Sequence, residues 1–207
     1  MRGRIPGPAV TPKAASGSLL AVRPFRVLPL VLSLSALVAC GAPPPPAHPV
    51  GEGASCPGRV EPADGLAETP DEALLKQALG DPGKGKLCAG KVFTAVRAVT
   101  VYRVWNKAKP YTQLGSWWSL AKPAGPVDRY RADNAICPEW SELDTVSECK
   151  LKVGAKVVVG PGQSAACDKG LTFPPSATNQ VFVPNETRDP ANQKVYVEGC
   201  SPGAVWP

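Results

Sequence analysis

The chain has 207 residues, of which 23 are basic and 17 are acidic, giving a formal net charge of +6. Five of the basic residues lie in the first 39 residues, where no acidic residue occurs, so residues 40–207 carry a net charge of only +1. A chain this close to neutral has no electrostatic basis for binding nucleic acid, and we expect no nucleic-acid partner.

The first element in chain order is an apolar run of twelve residues, Val27 to Val38. It is too short to cross a bilayer as a helix, which takes about 20 residues, and this predicts that residues 1–39 are an export signal rather than a buried helix. The run ends in Leu37-Val38-Ala39-Cys40, which resembles the lipobox of bacterial lipoproteins. The resemblance implies lipidation of Cys40, a lipid anchor in the outer membrane, and a periplasmic or surface-exposed protein.

Residues 40–55 are rich in proline, which favours extended polyproline II structure and cannot build a core, so we expect a tether here. The only histidine, His48, lies in this segment. It is either a ligand or general base or, as we expect, a solvated linker residue. The folded part then has no histidine, which excludes catalysis by serine–histidine, cysteine–histidine or histidine–metal arrangements within it.

Cysteine usage predicts crosslinks beyond the tether. Six cysteines lie beyond residue 55, and an even number of cysteines in an exported chain predicts that they form three disulfides. We expect no metal site, because no C-x-x-C pair and no neighbouring histidine occurs. We expect nearest-neighbour pairing, which joins Cys56 to Cys88, Cys137 to Cys149, and Cys167 to Cys200.

The pattern beyond residue 55 predicts a β-rich α+β fold with few short helices. An N-terminal extension, residues 56–86, contains a helix that starts at Thr69-Pro70 and stops at Gly80, followed by a plain turn at residues 83–86. A single domain, residues 87–207, follows. Its predicted strands are 91–105 (one long or two short), 146–153, 155–159, 179–183 and 194–198, with a turn at 160–163. A helix over residues 126–135 has Asp128, Arg129, Arg131 and Asp133 as its solvated face.

The most informative charged residue is Arg103. Val99, Val101, Arg103 and Trp105 alternate along one face of a predicted strand, where an unmatched guanidinium is costly. We therefore expect Arg103 either to form a salt bridge or to bind an anionic ligand, and the strand by itself favours the salt bridge. Trp117 and Trp118 are either core residues or stacking surfaces for a planar ring.

Five segments of the chain occur in a recognisable order: VYRVW (101–105), LGSWWS (114–119), the helix after Pro126, the strands that end in VVVGPGQSA, and TNQVFV (178–183). Together they resemble the ADP-ribosyltransferase-like fold, and most closely the NAD-glycohydrolase toxin domains of the tuberculosis-necrotizing-toxin type. The likeness covers roughly residues 87–184.

The resemblance implies roles for particular residues. Arg103 corresponds to the arginine that holds the dinucleotide phosphates, and Gln180 to the catalytic glutamine of the glycohydrolases, with water as the acceptor. It also implies NAD as a substrate rather than a permanent cofactor, and an immunity protein as a partner. Ser116 or Ser119 would lie beside the nicotinamide ribose, and Trp117 or Trp118 would stack.

The chain departs from that family in two places. The mid-domain histidine has no counterpart, because the corresponding strand contains Ser147-Glu148-Cys149-Lys150, and a proline-bearing segment, residues 171–178, replaces the glycine-rich loop. Three interpretations stay open: an active NAD enzyme, an inactive ligand-binding relative, and a non-catalytic, disulfide-stabilised interaction lipoprotein. An enzyme requires Arg103 and Gln180 to face one cleft.

Overall fold

A computed structural model of the chain describes residues 56–189 and 191–207. The predictions for the signal peptide, for Cys40 and for the tether with His48 concern residues outside these ranges. No helix within the described ranges is long and apolar enough to span a membrane.

The described residues form eleven strands and two short helices. The elements are β1 (Leu66–Glu68), α1 (Glu72–Ala78), β2 (Lys91–Ala95), β3 (Val99–Trp105), β4 (Trp117–Ser119), α2 (Val127–Asn134), β5 (Thr145–Leu151), β6 (Lys156–Gly162), β7 (Ala165–Ala166), β8 (Thr172–Phe173), β9 (Ser176–Phe182), β10 (Val197–Glu198) and β11 (Ala204–Val205).

Nine of these strands form one curled antiparallel sheet, in the order β1-β2-β6-β9-β4-β3-β5-β10, with β11 also paired to β5. A separate two-stranded ribbon joins β7 and β8, and the two helices flank the sheet. The prediction of a β-rich α+β fold with few short helices is confirmed.

The main core lies on one face of the curled sheet. Its centre is built from β-branched residues at alternate positions of neighbouring strands, because successive side chains of a strand point to opposite faces. Val101, Val159 and Val181 are fully buried there, each contributing about 1.5–3 kcal/mol by burial. Val99 and Val101 belong to this core while Val104 belongs to a different cluster, so the predicted alternation along β3 is confirmed.

Helix α1 packs on the other face of the sheet. Leu74 and Ala78 are buried against Val92 and Val158. Asp71, and not Thr69, caps the helix: its carboxylate accepts a hydrogen bond from the Leu74 N–H at 3.1 Å. The helix predicted for this extension is therefore present, but it begins at Glu72 and ends at Ala78.

Helix α2 was predicted to place Arg131 in solvent, and this prediction was wrong. Arg131 is buried, and its guanidinium donates to the carbonyls of Cys137, Ser141 and Glu142. Ala135 ends the helix in the left-handed conformation, with φ of 49°. The chain then folds back so that these carbonyls come within reach of the arginine.

The three disulfides are present, but two of the predicted pairings were wrong. Cys56–Cys88 is as predicted. The other two disulfides join cysteines that the fold brings together, and not cysteines that are nearest neighbours in the sequence. Strand β10 returns beside β5, which brings Cys200 to Cys149. Ala135 and Ala165 pack in one cluster, which brings Cys167 to Cys137.

The turn predicted for residues 160–163 was also wrong, because β6 continues as a strand to Gly162. Proline lacks the N–H that an interior strand position needs. The β2 ladder on β6 ends at Val159, however, and a register shift follows Pro161; beyond Val159 β6 pairs with β9 and has only an isolated bridge, between Gly162 and Leu87, on its other side. Pro161 is tolerated for that reason, and the extended strand carries Gly162 towards Gln180.

Candidate binding site

A cavity of about 350 Å³ opens where β3 and β4 separate, between the sheet and the segment that follows α2. The register of β4 explains where the cavity lies: β4 pairs with β3 only at Tyr102 and Ser119, whereas it pairs with β9 along its whole length. Below we call this the first cavity. It is lined by Lys84, Lys86, Arg103, Val104, Trp117, Trp118, Ser119, Tyr130, Asn134, Ala135, Ile136, Trp140, Ser141, Leu143, Gln180 and Arg188.

Arg103 fills the gap between the two strands. Its Nε donates to the Thr112 carbonyl at 2.6 Å, and its Nη1 donates to the carbonyl of Trp117. No carboxylate of the described residues pairs with it, so the salt-bridge alternative is wrong for that part of the chain, and the alternative of an anionic ligand stays a prediction. Burial lowers the pKa of Arg103 to about 10, which leaves the guanidinium charged at neutral pH.

Gly115 lies directly against this guanidinium. A Cβ atom added at Gly115 would overlap Nη2 of Arg103. The backbone of Gly115 has a φ of −66°, which any residue adopts, so close approach and not conformation requires glycine here. The glycine of the LGSWWS segment therefore makes room for Arg103.

Gln180 reaches the same cavity from β9. Its side chain is buried, and its Nε2 donates to the Asn134 carbonyl at 3.1 Å. That bond fixes the amide orientation, and no donor among the described residues bonds its oxygen. A Cβ atom at Gly162 would lie 2.7 Å from the Gln180 nitrogen, so β6 also restrains this side chain.

Ser119 lies opposite Gln180 in the β4–β9 register. Its hydroxyl is 3.3 Å from the phenol of Tyr130 on α2. Burial raises the pKa of the Tyr130 phenol, so Tyr130 is neutral at physiological pH. The ring of Tyr130 packs edge-on against Trp206, with centroids 4.9 Å apart, and this holds the phenol beside Ser119.

The two tryptophans of the LGSWWS segment have different environments. Trp118 is only 2% exposed, packs in the main core, and donates from its indole to the Gly115 carbonyl at 2.7 Å. Trp117 is half-buried and tilts against Phe182, with centroids 5.1 Å apart. Trp117 is therefore the one of the two with ring surface facing the cavity, and Trp140, which is 50% exposed, adds a second aromatic wall.

The sequence-predicted residues do not all meet. Arg103, Trp117, Trp118, Ser119 and Gln180 line the first cavity. Ser116 does not: its hydroxyl donates to the Asn185 carbonyl at 3.3 Å, and it lines a neighbouring cavity of about 380 Å³. Below we call this the second cavity.

The charge of the first cavity is one-sided. Four cationic side chains line it, and none of its lining residues in the described part of the chain is acidic; the cations are Lys84, Lys86, Arg103 and Arg188. Concentrated positive charge in a partly desolvated cleft attracts anions. The arrangement can therefore bind an anionic ligand that also has a planar ring.

Several lining residues were missed by sequence reasoning. Lys84 and Lys86 lie in the segment predicted to be a plain turn, which forms one wall because Gly85 packs against the Trp140 ring. The Cys56–Cys88 disulfide just after this segment was the available signal that it is held in place. Asn134 and Trp140 become part of the site only through the fold around α2.

The described residues give no new metal site. Cys137, Glu139 and Cys167 come close together, but both cysteines are joined in a disulfide, which leaves no thiolate to bind a metal ion.

The fold and cavity together define a class: a disulfide-linked, β-rich α+β domain with a cationic, aromatic-lined cleft. Comparisons of the chain with protein-family models, with curated proteins and with solved structures find no match.

Proposed function

We propose that this chain is an outer-membrane lipoprotein, anchored through Cys40, whose domain is of ADP-ribosyltransferase-like type, binds NAD, and hydrolyses it to nicotinamide and ADP-ribose. One observation carries the proposal. Arg103, Trp117, Ser119 and Gln180 come from three different strands, and all four line one cavity.

Phosphate binding is the step for which the support is strongest. The charged guanidinium of Arg103 is held by two carbonyls, and its remaining N–H groups have no acceptor among the described residues. Guanidinium and phosphate fit through paired, charge-assisted hydrogen bonds. A pyrophosphate at this point would match the buried charge without rearrangement of Arg103.

Bond cleavage would depend on Gln180. The bond between the nicotinamide nitrogen and the ribose C1′ breaks, the electron pair leaves with nicotinamide, and positive charge develops on the ribose. Water then attacks C1′ and releases its proton to the bulk solvent. Gln180 cannot take that proton, but its fixed amide oxygen can accept a hydrogen bond from the ribose as the charge develops.

A second interpretation has its own observation. Gln180 is bonded to Asn134, and Ser119 lies beside Tyr130, so both polar groups already have structural partners. A non-catalytic, disulfide-stabilised interaction lipoprotein accounts for these contacts equally well.

In the toxin interpretation, the cationic cleft would suit an acidic immunity protein.

The test uses the purified full-length chain with its disulfides intact. Calorimetry with NAD and a nicotinamide-release assay are both expected to be positive. Arg103→Ala should weaken NAD binding by roughly 10- to 150-fold, because a charge-assisted phosphate contact is lost. Gln180→Ala should lower kcat more than it raises KM, because its contact strengthens only in the transition state.

Controls separate these effects from misfolding. Arg103→Lys keeps the charge but loses the fork, and should bind NAD with intermediate affinity. Thermal melts of each variant report folding. Absence of NAD binding at millimolar concentration rejects the proposal, and binding without nicotinamide release supports an inactive relative.

Anchoring has a separate test. Cys40→Ala is expected to prevent lipidation and leave the precursor unprocessed. Normal processing of that variant would contradict the lipoprotein assignment.

A further inference from the structure

The second cavity adjoins the first at three shared residues. Arg103, Trp117 and Arg188 line both. The guanidinium of Arg103 therefore lies at the junction, with one cavity on either side. A ligand whose anionic group binds Arg103 can extend in two directions.

Size indicates that a dinucleotide needs both cavities. At about 350 Å³ and 380 Å³, each cavity is close to the lower end of the roughly 300–1,000 Å³ of small-molecule sites. A dinucleotide consists of two nucleosides joined by a pyrophosphate. With the pyrophosphate at Arg103, one nucleoside would fall on each side.

The second cavity has an ordered floor. Asn185 is buried and donates to the carbonyls of Leu114 and Gly115, and its side-chain oxygen accepts from the Tyr196 N–H at 2.8 Å. Ser116 adds its bond to the Asn185 carbonyl. These bonds shape the cavity before any ligand arrives, which lowers the cost of binding.

Two side chains that line the second cavity, Tyr111 and Glu186, have groups available to contact a ligand. The ring of Tyr111 is 57% exposed, although large aromatic side chains are usually buried. One carboxylate oxygen of Glu186 accepts a hydrogen bond from the backbone N–H of Arg188 at 2.8 Å, and its second oxygen has no donor among the described residues. An aromatic face suits a base, and a carboxylate suits the hydroxyls of a ribose.

We infer that the second cavity binds the adenosine diphosphate half of the dinucleotide, with the base stacked on Tyr111 and the phosphates on Arg103. The inference rests on the proposed function for the direction of the ligand, since Gln180 assigns the nicotinamide half to the first cavity. Glu186 also disfavours phosphates deep in the second cavity, which keeps them at the Arg103 junction.

The test compares the two halves of NAD as separate probes. ADP and nicotinamide mononucleotide are each titrated by calorimetry into the full-length chain and its variants. Tyr111→Ala should weaken ADP binding by roughly 5- to 150-fold, the usual loss when a stacking ring is removed. Nicotinamide mononucleotide should be unaffected within about twofold, while Arg103→Ala should weaken both probes.

Tyr111→Phe is the matched control, because it keeps the ring and removes only the hydroxyl. Tyr111→Phe should bind ADP as tightly as the unmodified chain does. Because Tyr111 is exposed, both variants should fold like the unmodified chain.

The inference is overturned if ADP does not bind, if Tyr111→Ala leaves ADP binding intact, or if that variant weakens the mononucleotide instead. Failure of the proposed function is a different result: ADP binds through Tyr111, but NAD is not hydrolysed and the mononucleotide does not bind.

Discussion

At the scale of single residues, Arg103 shows how a charge can be accommodated in an apolar strand without a carboxylate. Removing a guanidinium from water is costly, and hydrogen bonds to charged groups return about 1.5–3 kcal/mol each. Two carbonyl acceptors, those of Thr112 and Trp117, thus offset part of the cost. Burial lowers the pKa of Arg103 to about 10, which reflects the part of this cost that the carbonyls do not offset.

Gly115 provides a residue-scale test of this geometry. Gly115→Ala adds one methyl group against Nη2 of Arg103, so the guanidinium must move and lose alignment with its two carbonyls. NAD binding should fall by about tenfold or more, which corresponds to one charge-assisted hydrogen bond.

Gly154→Ala is the control for the methyl group itself, since a Cβ there has no neighbour within 4 Å, although its φ of 85° will cost some stability. Calorimetry measures the NAD affinity of both variants, and thermal melts measure their stability. Equal NAD affinity of Gly115→Ala and the unmodified chain would show that the position of Nη2 is unimportant.

At the scale of elements, the residue that caps α1, Asp71, also bonds the helix to Lys156 on β6. The pKa of Asp71 is lowered by its bond to Lys156, at 2.9 Å, and by the Leu74 N–H. A depressed carboxyl pKa contributes stability that is complete above the unfolded value, ordinarily 3.8, and is lost as pH falls through the lower folded value.

Two substitutions separate the cap from the ion pair. Asp71→Asn keeps an acceptor for Leu74 but loses the charge opposite Lys156, whereas Asp71→Ala loses both. We expect the melting temperature at neutral pH to decrease in the order Asp, Asn, Ala. The difference between Asp and Asn should shrink as the pH falls below about 3.8, because the carboxyl of the unfolded chain is then protonated first, and it should vanish once the native carboxyl, whose pKa is lower, is protonated as well. A constant difference down to pH 2 would contradict the ion pair.

Elements whose cues are local could be predicted from the sequence. The alternation of Val99 and Val101 located β3 and its core face, and the start signal at Thr69-Pro70 located α1, although the cap is Asp71 and not Thr69. The cue for Arg131 was misleading, because it shows a charged helix residue but not the carbonyls that a returning loop supplies. The cue for Pro161 was also misleading. Proline favours a turn, but the ladder between β2 and β6 ends at Val159, so β6 continues through Pro161 without losing a hydrogen bond to β2.

The candidate site was predictable only in part, for the same physical reason. Arg103 was identifiable because a charge in an apolar strand is costly wherever it occurs. Lys84, Trp140 and Arg188 carry no such cost in the sequence, and they meet only because distant segments converge.

At the scale of the whole molecule, the three disulfides join segments that are distant in the sequence. They close loops with sequence separations of 32, 30 and 51 residues. Loop entropy grows by only about 0.6 kcal/mol per doubling of length, so the three should stabilise the fold to a similar extent, about 2–4 kcal/mol each.

Their effects on ligand binding should nevertheless differ. Cys137–Cys167 anchors the segment that carries Trp140, and an Asp168 N–H bond to Glu139 at 2.9 Å reinforces the same junction. Cys149–Cys200 lies in the main core, and neither cysteine lines the first cavity. One crosslink therefore supports a cavity wall, and the other supports only the core.

Paired cysteine-to-serine variants of the full-length chain test this difference. Removal of either disulfide should lower the melting temperature by roughly 5–15 °C. Removal of Cys137–Cys167 should in addition weaken NAD binding at a temperature where both variants remain folded, because the Trp140 wall is released. Thiol titration confirms that the other two bridges stay closed. Equal NAD affinities for the two variants would show that the wall is held by packing alone, and an unchanged melting temperature for either would show that its crosslink does not stabilise the native fold.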